Sequence, residues 1–372
     1  MENITVIHFV HTLFGGVANV AANLIRYQKT LGWKTVVVYV NYDENYPLLV
    51  GKDTELVKFA EKDFPGFFMC FGMDVNKFYT RYKKGHPSEN VVCHIHNIQA
   101  LGAFGNWSKI PLICTLHSLN GRDKSIRKLI SNKLYRTALM RLLKNKKKIT
   151  SVSNAIVKEY AKIPNADSIS VIYNGTEIDA SKRNKQEKFV IGYVGNLSYA
   201  KGWDTVFEAF CKIPKEIRKN MILKAAGNEA EFTFDMIRKM AEDNGIEQQI
   251  ECLGYVGNAK DEFISKLDVL VLASRNEGLG LVQIEAMGYG IPVLGRDVGG
   301  ICEILKDDYN GFIILTSDGL AEKIQILYKD RMVYTKLSNN ALATYNSKFT
   351  QKIMCEQYKK MYLEVFEECG HR

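Results

Sequence analysis

Residues 274–287 read SRNEGLGLVQIEAM, the pattern of a strand end, a glycine-containing turn and a helix start. Apolar residues up to Ala273 end a buried strand, and a helical pattern begins near Leu281. Glu277 therefore lies on the loop at the carboxyl end of the strand, and Glu285 lies about one turn inside the helix. The unpaired N–H groups of such a helix start can hold a phosphate, aided by the helix dipole. The helix carboxylate can accept hydrogen bonds from both ribose hydroxyls, and the loop carboxylate can meet sugar hydroxyls.

Short apolar strands alternate with helical patterns on both sides of this stretch, which predicts parallel sheets covered on both faces. The alternation stops at a polar segment, 179–188, and then restarts. We predict an α/β protein with two Rossmann-like, doubly wound domains, an N-terminal one over 1–178 and a C-terminal one over 189–351, joined by a linker over 179–188. The last segment, 352–372, is predicted to be a helix that can pack back on the N-terminal domain. Ligands of such sheets bind outside the carboxyl ends of the strands.

The composition is that of a globular protein, and its net charge of +9 comes from one segment. Residues 122–148 contain eleven Lys and Arg against one acidic residue, so the rest of the chain is almost neutral. The eight cysteines are scattered singly, which favours buried free thiols over a disulfide framework or a zinc site. The N-terminus lacks the basic cluster of a signal peptide, and no long apolar run predicts a spanning helix. We therefore expect a cytoplasmic protein.

The order of several motifs identifies a family. The run from Glu277 to Glu285 resembles the E-x7-E signature of retaining GT-B-fold glycosyltransferases of family 4, and the resemblance extends over nearly the whole chain. The other matching segments are Gly15-Gly16, His117 in TLHS, VGNLSYAKGWDTVFEAF with Lys201 and Gly202, AAGNEAE at 225–231, LGYVGN at 253–258 and GIPVLGRDVGGICEIL with Gly299-Gly300.

The resemblance implies two domains that face each other across a cleft, with the donor bound by the second. It implies catalytic roles for His117, Lys201 and Glu277. It also implies a donor site made of Gly16, Asn196, Lys201, Val256, Glu277, Gly278, Leu279, Gly280, Leu281 and Glu285. The activity implied is transfer of a hexose from a nucleotide sugar, a UDP-sugar, to a glycan or lipid-linked acceptor in the assembly of bacterial-type surface polysaccharide. The anomeric configuration is expected to be retained.

Neither a cofactor nor a metal ion is expected, since a metal-binding D-x-D pair is absent from the sequence. The charge of the departing diphosphate must then be met by Lys201, backbone N–H groups and helix N-termini. The chain departs from the family pattern at Asn196, where relatives usually carry Arg. An Asn can donate a hydrogen bond but brings no charge, which puts the phosphate geometry in question.

The same motifs are compatible with two other functions. A different GT-B activity, such as that of an epimerase, and a non-catalytic protein that binds a sugar nucleotide are the alternatives, and Asn196 favours the latter. Gly278 and Gly280 begin a dinucleotide-binding pattern, but Gln283 stands in place of its third glycine, which argues against an oxidoreductase. His94 and His96 alternate on a strand without a third ligand at useful spacing, so we interpret them as structural or cleft-edge residues.

The basic segment 122–148 has apolar residues at three- and four-residue steps, which predicts a helix. Its lysines can simply be solvated. Nucleic acid is not expected as a partner, because no recognition motif accompanies the segment. Basic residues near an anionic leaflet contribute about 1 kcal/mol each, and many relatives act on lipid-linked acceptors. We therefore predict peripheral binding at the inner face of the plasma membrane through this segment.

Overall fold

The structure is a computed structural model that describes residues 4–41, 44, 46–58, 71–97, 110–118 and 126–370. The chain divides into two compact units. The first comprises Met1–Gly175 together with Gln351–Arg372, and the second comprises Thr176–Thr350. Each unit is an α/β domain built on one parallel sheet, as the alternation of strands and helices predicts.

The described strands of the first unit are β1 Ile4–Thr12, β2 Lys34–Asn41, β3 Glu55–Lys58, β4 Asn90–His96, β5 Leu112–Leu116, β6 Lys148–Ser151 and β7 Ser170–Val171. Its helices are α1 Gly16–Thr30, α2 Tyr46–Val50, α3 Phe71–Gly85, α4 Ile126–Lys144, α5 Asn154–Glu159 and the last helix of the chain, α14 Gln351–Gly370. The strand order is β3-β2-β1-β4-β5-β6-β7. Strand order reverses between β1 and β4, which makes their carboxyl ends a switch point of the Rossmann type.

The C-terminal helix α14 belongs to the first unit and packs against its sheet. Tyr358 and Tyr362 are completely or almost completely buried. The Tyr358 hydroxyl lies 3.0 Å from Thr115 Oγ1 on β5 and 3.2 Å from Thr150 Oγ1 on β6. These contacts run from the last twenty residues to the central strands, so the N-terminal half of the sequence does not complete its own core.

The strands of the second unit are β8 Phe189–Val194, β9 Met221–Ala226, β10 Ile250–Cys252, β11 Val269–Leu272, β12 Val293–Gly295 and β13 Gly311–Ile313. Its helices are α6 Trp203–Lys212, α7 Lys215–Arg218, α8 Phe234–Asp243, α9 Ala259–Glu262, α10 Leu281–Gly288, α11 Ile301–Ile304, α12 Ser317–Lys329 and α13 Arg331–Lys348. The order β10-β9-β8-β11-β12-β13 is the strand order of a dinucleotide-binding Rossmann domain. Here the switch point lies between β8 and β11.

The polar segment 179–188, predicted to be a linker, lies instead within the second unit. Arg183 Nη1 donates to the carbonyl of Ser265 at 2.8 Å, and the backbone N–H of Asn184 donates to the same carbonyl at 3.2 Å. Polar composition marks exposure to solvent, but backbone carbonyls of a neighbouring loop can hold a polar segment against the domain. The division between the units falls at 175/176 and again at 350/351.

The basic segment forms α4 over Ile126–Lys144, in agreement with the predicted helix. Residues 122–125 of the segment lie outside the described residues, as do the side chains of residues 126–131. Lys133, Lys144 and Lys146 are exposed, whereas Lys147 Nζ donates to the carbonyl of Ile110 at 2.6 Å. Lys148 pairs with Glu364 at 3.2 Å and Glu368 at 3.0 Å on α14. Part of the positive charge therefore stabilises the first unit and is not available to a partner.

Within the described residues, no helix is both long enough and apolar enough to cross a bilayer. The cysteines that the structure describes are free thiols, as predicted. Cys93, Cys114 and Cys355 are buried, but Cys302 is exposed.

Candidate active site

Two loops of the second unit meet at its switch point. One follows β8 and leads into α6, and the other follows β11 and leads into α10. Strands β8 and β11 are hydrogen-bonded neighbours in parallel register, with Val269 opposite Ile191. Both loops therefore leave the sheet at its carboxyl edge, side by side, and each opens into a helix N-terminus. This is the position where doubly wound sheets bind ligands.

The two loops bring Lys201 and Glu277 into direct contact. Lys201 Nζ lies 2.7 Å from Glu277 Oε2, although the residues are 76 positions apart. The Glu277 side chain is 16% exposed and that of Lys201 is 37% exposed, so the pair stands at the surface of the loops with the carboxylate further in. A cation and an acid that the sequence assigns to one site are thus side by side, and each offsets the charge of the other.

The glycine after Lys201 is required by the packing of the two loops. Gly202 has φ 76°, and a Cβ atom there would lie 2.1 Å from the carbonyl oxygen of Ala273, at the end of β11. Left-handed backbone is costly for other residues, and the close approach leaves no room for a side chain. Gly202 therefore lets the Lys201 loop lie directly on the strand that leads to Glu277.

A second ion pair, which the sequence reading missed, joins the same two loops. Arg275 binds Asp204 in a bidentate manner, with Nη1–Oδ1 and Nη2–Oδ2 distances of 2.8 Å and 2.6 Å. The backbone N–H of Arg275 donates to the carbonyl of Ala200 at 2.9 Å. Burial alone would raise the pKa of Asp204, but hydrogen bonds and charge from Arg275 outweigh it and lower that pKa. This clamp joins the loop that carries Lys201 to the loop that carries Glu277. The sequence does contain a sign of this ion pair. Asp204 closely follows the K-G pair, and Arg275 closely precedes Glu277.

The loop that carries Glu277 is supported from behind by the glycine pair 299–300. The backbone N–H of Gly300 donates to the carbonyl of Glu277 at 3.0 Å. A Cβ on Gly299, which has φ 54°, would lie 1.9 Å from that carbonyl oxygen, and one on Gly300 would lie 2.2 Å from the carbonyl oxygen of Gly278. Backbone packs on backbone here, so the orientation of the Glu277 loop is set by main-chain contacts.

Helix α10 begins beside this loop. Gly280, with φ 79°, is its N-cap residue and has no side chain to bind the first N–H groups. Leu279 is buried, and Gln283 Nε2 donates to its carbonyl at 2.5 Å. The N–H groups that start at Leu281 thus face the carboxyl edge of the sheet, in the arrangement that suits a phosphate.

Glu285 lies in the second turn of α10 and is half-buried. Burial raises the pKa of this carboxyl group to about 7, the nearby Lys260 opposes the shift and Asp261 adds to it. A carboxyl group with a pKa near 7 can lose its proton when a bound ligand supplies hydrogen-bond donors, because these donors stabilise the carboxylate.

Asn196 and Val256 lie at neighbouring strand ends of the same unit. Asn196 follows β8, and its side chain is exposed, while its carbonyl accepts a hydrogen bond from the Tyr193 hydroxyl at 2.6 Å. Val256 follows β10 and is half-buried. The segment between β10 and Val256 is bonded to the end of the neighbouring strand β9, because the backbone N–H of Gly227 donates to the carbonyl of Gly254 at 2.8 Å. All the predicted site residues of the second unit therefore lie at one edge of its sheet.

The remaining predicted site residues, Gly16 and His117, lie at the carboxyl edge of the first sheet. Gly16 is the first residue of α1, and the preceding Gly15 has φ 81°. His117 follows β5 and contacts a group of buried histidines. Its Nε2 atom lies 3.1 Å from His96 Nδ1. Burial lowers the pKa of His117 to about 3, so its imidazole is neutral at pH 7.

The histidine group includes a third imidazole that the spacing of His94 and His96 in the sequence does not predict. Both are buried, and the parallel pairing of β1 with β4 places His8 directly opposite His94. His8 is therefore a third imidazole in this group, although it lies 86 residues before His94 in the sequence. The pairing of the strands brings them together, and residue spacing along the chain does not predict that pairing.

These three histidines have ring nitrogens within 4.8 Å of one another, the spacing of a metal site. Each ring nitrogen already has a side-chain partner, however. His94 contacts the Tyr362 hydroxyl at 2.6 Å and Thr115 Oγ1 at 2.7 Å, and His8 and His96 bond to each other at 3.0 Å. The outer nitrogens of this pair bond to Gln28 and His117. An ion would have to displace these hydrogen bonds, so the donor set fits a hydrogen-bonded network better than a metal.

With this geometry in place, comparison with known families identifies the class. The family model "Glycosyl transferases group 1" matches residues 175–344, and the model "Glycosyltransferase Family 4" matches residues 14–180. The two matches together run from residue 14 to residue 344. The chain therefore belongs to the family 4, group 1 glycosyltransferases, and its two Rossmann-like domains are those of the GT-B fold.

Three individual proteins are similar to the chain. The N-acetyl-alpha-D-glucosaminyl L-malate synthase of Bacillus anthracis is 26% identical over 70% of this chain and 69% of its own length. The capsular polysaccharide biosynthesis glycosyltransferase CapM of Staphylococcus aureus is 27% identical over 49% of this chain and 48% of its own length. The crystal structure of HepE from Anabaena in complex with UDP-glucose superimposes with a TM-score of 0.76 at 18% identity, over 97% of this chain and all of the other.

Proposed function

We propose that this glycosyltransferase transfers a hexose from a UDP-sugar to a glycan or lipid-linked acceptor during surface-polysaccharide assembly. The observation that carries the proposal is the contact of Lys201 with Glu277 beside the N-terminus of α10. One cation, one carboxylate and a row of N–H groups are what a sugar diphosphate requires. The activity named for CapM and the UDP-glucose bound in the HepE structure support the acceptor class and the donor class.

In this proposal, Lys201 and the N–H groups of α10 bind the diphosphate, and Glu277 binds hydroxyls of the transferred sugar. Glu285 accepts hydrogen bonds from the ribose hydroxyls. Preorganised donors at the leaving group are commonly the largest electrostatic contribution to such a transfer. His117 contributes a neutral imidazole that contacts the sugar. Asn196 leaves the diphosphate without the charge that relatives supply there, so Lys201 carries more of the neutralisation.

We propose further that the anomeric configuration is retained and that no metal takes part. The bond between the anomeric carbon and the phosphate oxygen breaks, and the acceptor oxygen bonds to the same face of that carbon. The acceptor hydroxyl proton passes to the departing phosphate oxygen. The charge left on the diphosphate is met by Lys201 and the helix N-terminus.

Peripheral membrane binding through the basic segment is part of the same proposal. Lys133, Lys144 and Lys146 are the exposed lysines that support it. Lys144 and Lys146 immediately precede β6, so they lie at the amino edge of the first sheet, opposite to the edge that carries His117. The membrane contact would therefore hold the protein at the surface and would not line the sugar site.

The direct test of donor class is a thermal unfolding screen against UDP, GDP and their hexose conjugates. A ligand that binds the folded state at 100 times its Kd adds about 2.7 kcal/mol to the free energy of unfolding. We expect stabilisation by UDP-hexoses and loss of that stabilisation in Lys201→Ala. The control is Lys219→Ala, which removes an exposed lysine paired with Glu216 in the same unit. Stabilisation by none of the nucleotides contradicts the proposal. Stabilisation without transfer to any acceptor favours the non-catalytic alternative.

A further inference from the structure

The imidazoles of His8, His96 and His117 form a continuous hydrogen-bonded chain that begins at Gln28 on helix α1. Gln28 Oε1 lies 2.9 Å from His8 Nε2, and His8 Nδ1 lies 3.0 Å from His96 Nε2. His96 Nδ1 lies 3.1 Å from His117 Nε2. The ring centroids are 5.3 Å apart at both histidine contacts, with ring planes inclined by 20° and 26°. The rings are thus nearly coplanar and linked edge to edge, which is the geometry of a proton-ordered chain.

All three imidazoles are neutral at pH 7. Burial lowers the pKa of His8 to about 4 and that of His117 to about 3. Burial, together with the neighbouring histidines, lowers the pKa of His96 well below its usual value. A neutral imidazole carries one N–H and one lone pair, so each ring donates at one nitrogen and accepts at the other.

The position of every proton in the chain then follows from its first acceptor. The Gln28 carbonyl oxygen accepts, so His8 donates from Nε2 and its Nδ1 accepts. His96 must then donate from Nε2, which leaves its Nδ1 as an acceptor. His117 must donate from Nε2 in turn. The chain ends at His117 Nδ1, which carries a lone pair.

Neighbouring side chains stabilise this arrangement of the histidine rings. The His94 ring stacks on that of His96 with centroids 4.1 Å apart, and His94 is held in turn by Tyr362 and Thr115. Gln28 is buried, and Oε1 is the atom of its side chain that faces His8 Nε2.

We propose that Gln28, His8 and His96 are positioning residues that hold His117 in its Nε2–H form and present Nδ1 as a hydrogen-bond acceptor to a hydroxyl of the donor sugar. The proposal rests on the assignment of His117 to the donor sugar made above. A lone pair at this position favours a sugar hydroxyl, which can donate, over a carboxylate, which cannot.

The proton order can be read without any activity. Long-range 1H–15N correlation spectra of the histidine-labelled full chain at pH 7 distinguish protonated from unprotonated ring nitrogens. We expect His8, His96 and His117 all to be Nε2–H. The variant Gln28→Met removes the first acceptor, and His117 should then show both tautomers. Thr35→Val deletes a buried hydroxyl of the same unit that has no hydrogen-bond partner, and it should leave all three unchanged.

An Nδ1–H form of any of the three in the wild type overturns the proposal, and so does an unaltered single tautomer of His117 in Gln28→Met. If Gln28→Met fails to fold, the wild-type spectrum still decides, because one reversed ring breaks the chain.

The link to the sugar is tested by kinetics. In Gln28→Met we expect kcat/KM for the nucleotide sugar to fall about 10-fold, the scale of one hydrogen bond, with UDP affinity unchanged within about 2-fold. An unchanged kcat/KM contradicts the role at the sugar. If the wild type binds no nucleotide sugar, the proposed function fails while the tautomer result stands, so the two failures are distinguishable.

Discussion

Lys201 Nζ and Glu277 Oε2 are 2.7 Å apart at the switch point of the second domain. The contact joins the loop after β8 to the loop after β11, and it pairs the cation we assign to the diphosphate with the carboxylate we assign to the sugar. Without a donor, each side chain therefore has an internal partner. A bound diphosphate must compete with Glu277 for Lys201, so the two residues should affect binding and transfer differently.

The Arg275–Asp204 clamp predicts a charge-swap result. Asp204→Arg or Arg275→Asp alone places two like charges side by side, and their repulsion loosens both loops. We expect each single change to lower kcat/KM by about 10- to 100-fold. The double variant restores the attraction with reversed sign and should recover part of the loss, so that the effects are not additive. Steady-state kinetics of the four proteins measures the coupling. Strictly additive losses would show that the pair does not position the loops.

The raised pKa of Glu285 predicts a pH-dependent donor affinity. Burial brings this pKa to about 7, so the carboxyl group is largely protonated below pH 7 and ionised above it. Ribose hydroxyls donate to the ionised form, so affinity should rise with pH, about 10-fold between pH 6 and pH 8. The ligand should be a nucleotide sugar, because the terminal phosphate of UDP itself titrates near 6. Titration calorimetry of the wild type and Glu285→Gln is the measurement. Equal pH profiles for the two proteins would remove Glu285 from the ribose site.

Gly202→Ala should destabilise the second domain strongly. The added methyl group would lie 2.1 Å from the carbonyl oxygen of Ala273, in a backbone with φ 76°. We expect a loss of at least about 3 kcal/mol in the free energy of unfolding, from strain and overpacking together. Gly245→Ala is the matched control, since Gly245 has φ 59° and nothing within 4 Å of the added atom. It should cost about 1 kcal/mol. Urea unfolding curves decide, and equal losses in both variants would contradict the close approach.

Membrane attachment through the basic segment predicts salt-sensitive sedimentation with anionic vesicles. The triple variant Lys133→Gln, Lys144→Gln, Lys146→Gln should bind phosphatidylglycerol-containing vesicles roughly 150-fold more weakly than the wild type, at about 1 kcal/mol for each lysine. The control with the same change in net charge is Lys215→Gln, Lys239→Gln, Lys266→Gln, exposed lysines of the second unit. Equal binding by both variants, or wild-type binding that is indifferent to salt and to anionic lipid, would contradict the model.

Much of the fold could be predicted because its signals are local. The strand–turn–helix reading of 274–287 placed Glu277 on the loop and the helix start at Leu281, where α10 begins. Parallel strands buried on both faces are nearly continuous apolar runs, and helices have their own period, so the order of elements is visible in the sequence. The segment 179–188 was misassigned because its contacts, to the carbonyl of Ser265, lie about 80 residues away.

The parts of the site that the sequence did not reveal depend on register between distant strands. His8 stands opposite His94 only because β1 pairs with β4 in that register. Arg275 meets Asp204 only because β8 and β11 are neighbours in the second sheet. Neither contact produces a periodic pattern in the amino-acid sequence. Each of these residues, taken alone, has the features of an ordinary polar side chain.

The most direct measurement of the central claim is sugar transfer by Lys201→Ala and Glu277→Ala, with UDP affinity measured on the same proteins. Loss of one charged contact at the reacting group should lower the rate of transfer at least about 100-fold in both variants. UDP affinity should fall in Lys201→Ala but hold or increase in Glu277→Ala, because removal of the carboxylate releases Lys201 to the diphosphate. The control Lys219→Ala should match the wild type throughout. Transfer near the wild-type rate in both site variants would contradict the account.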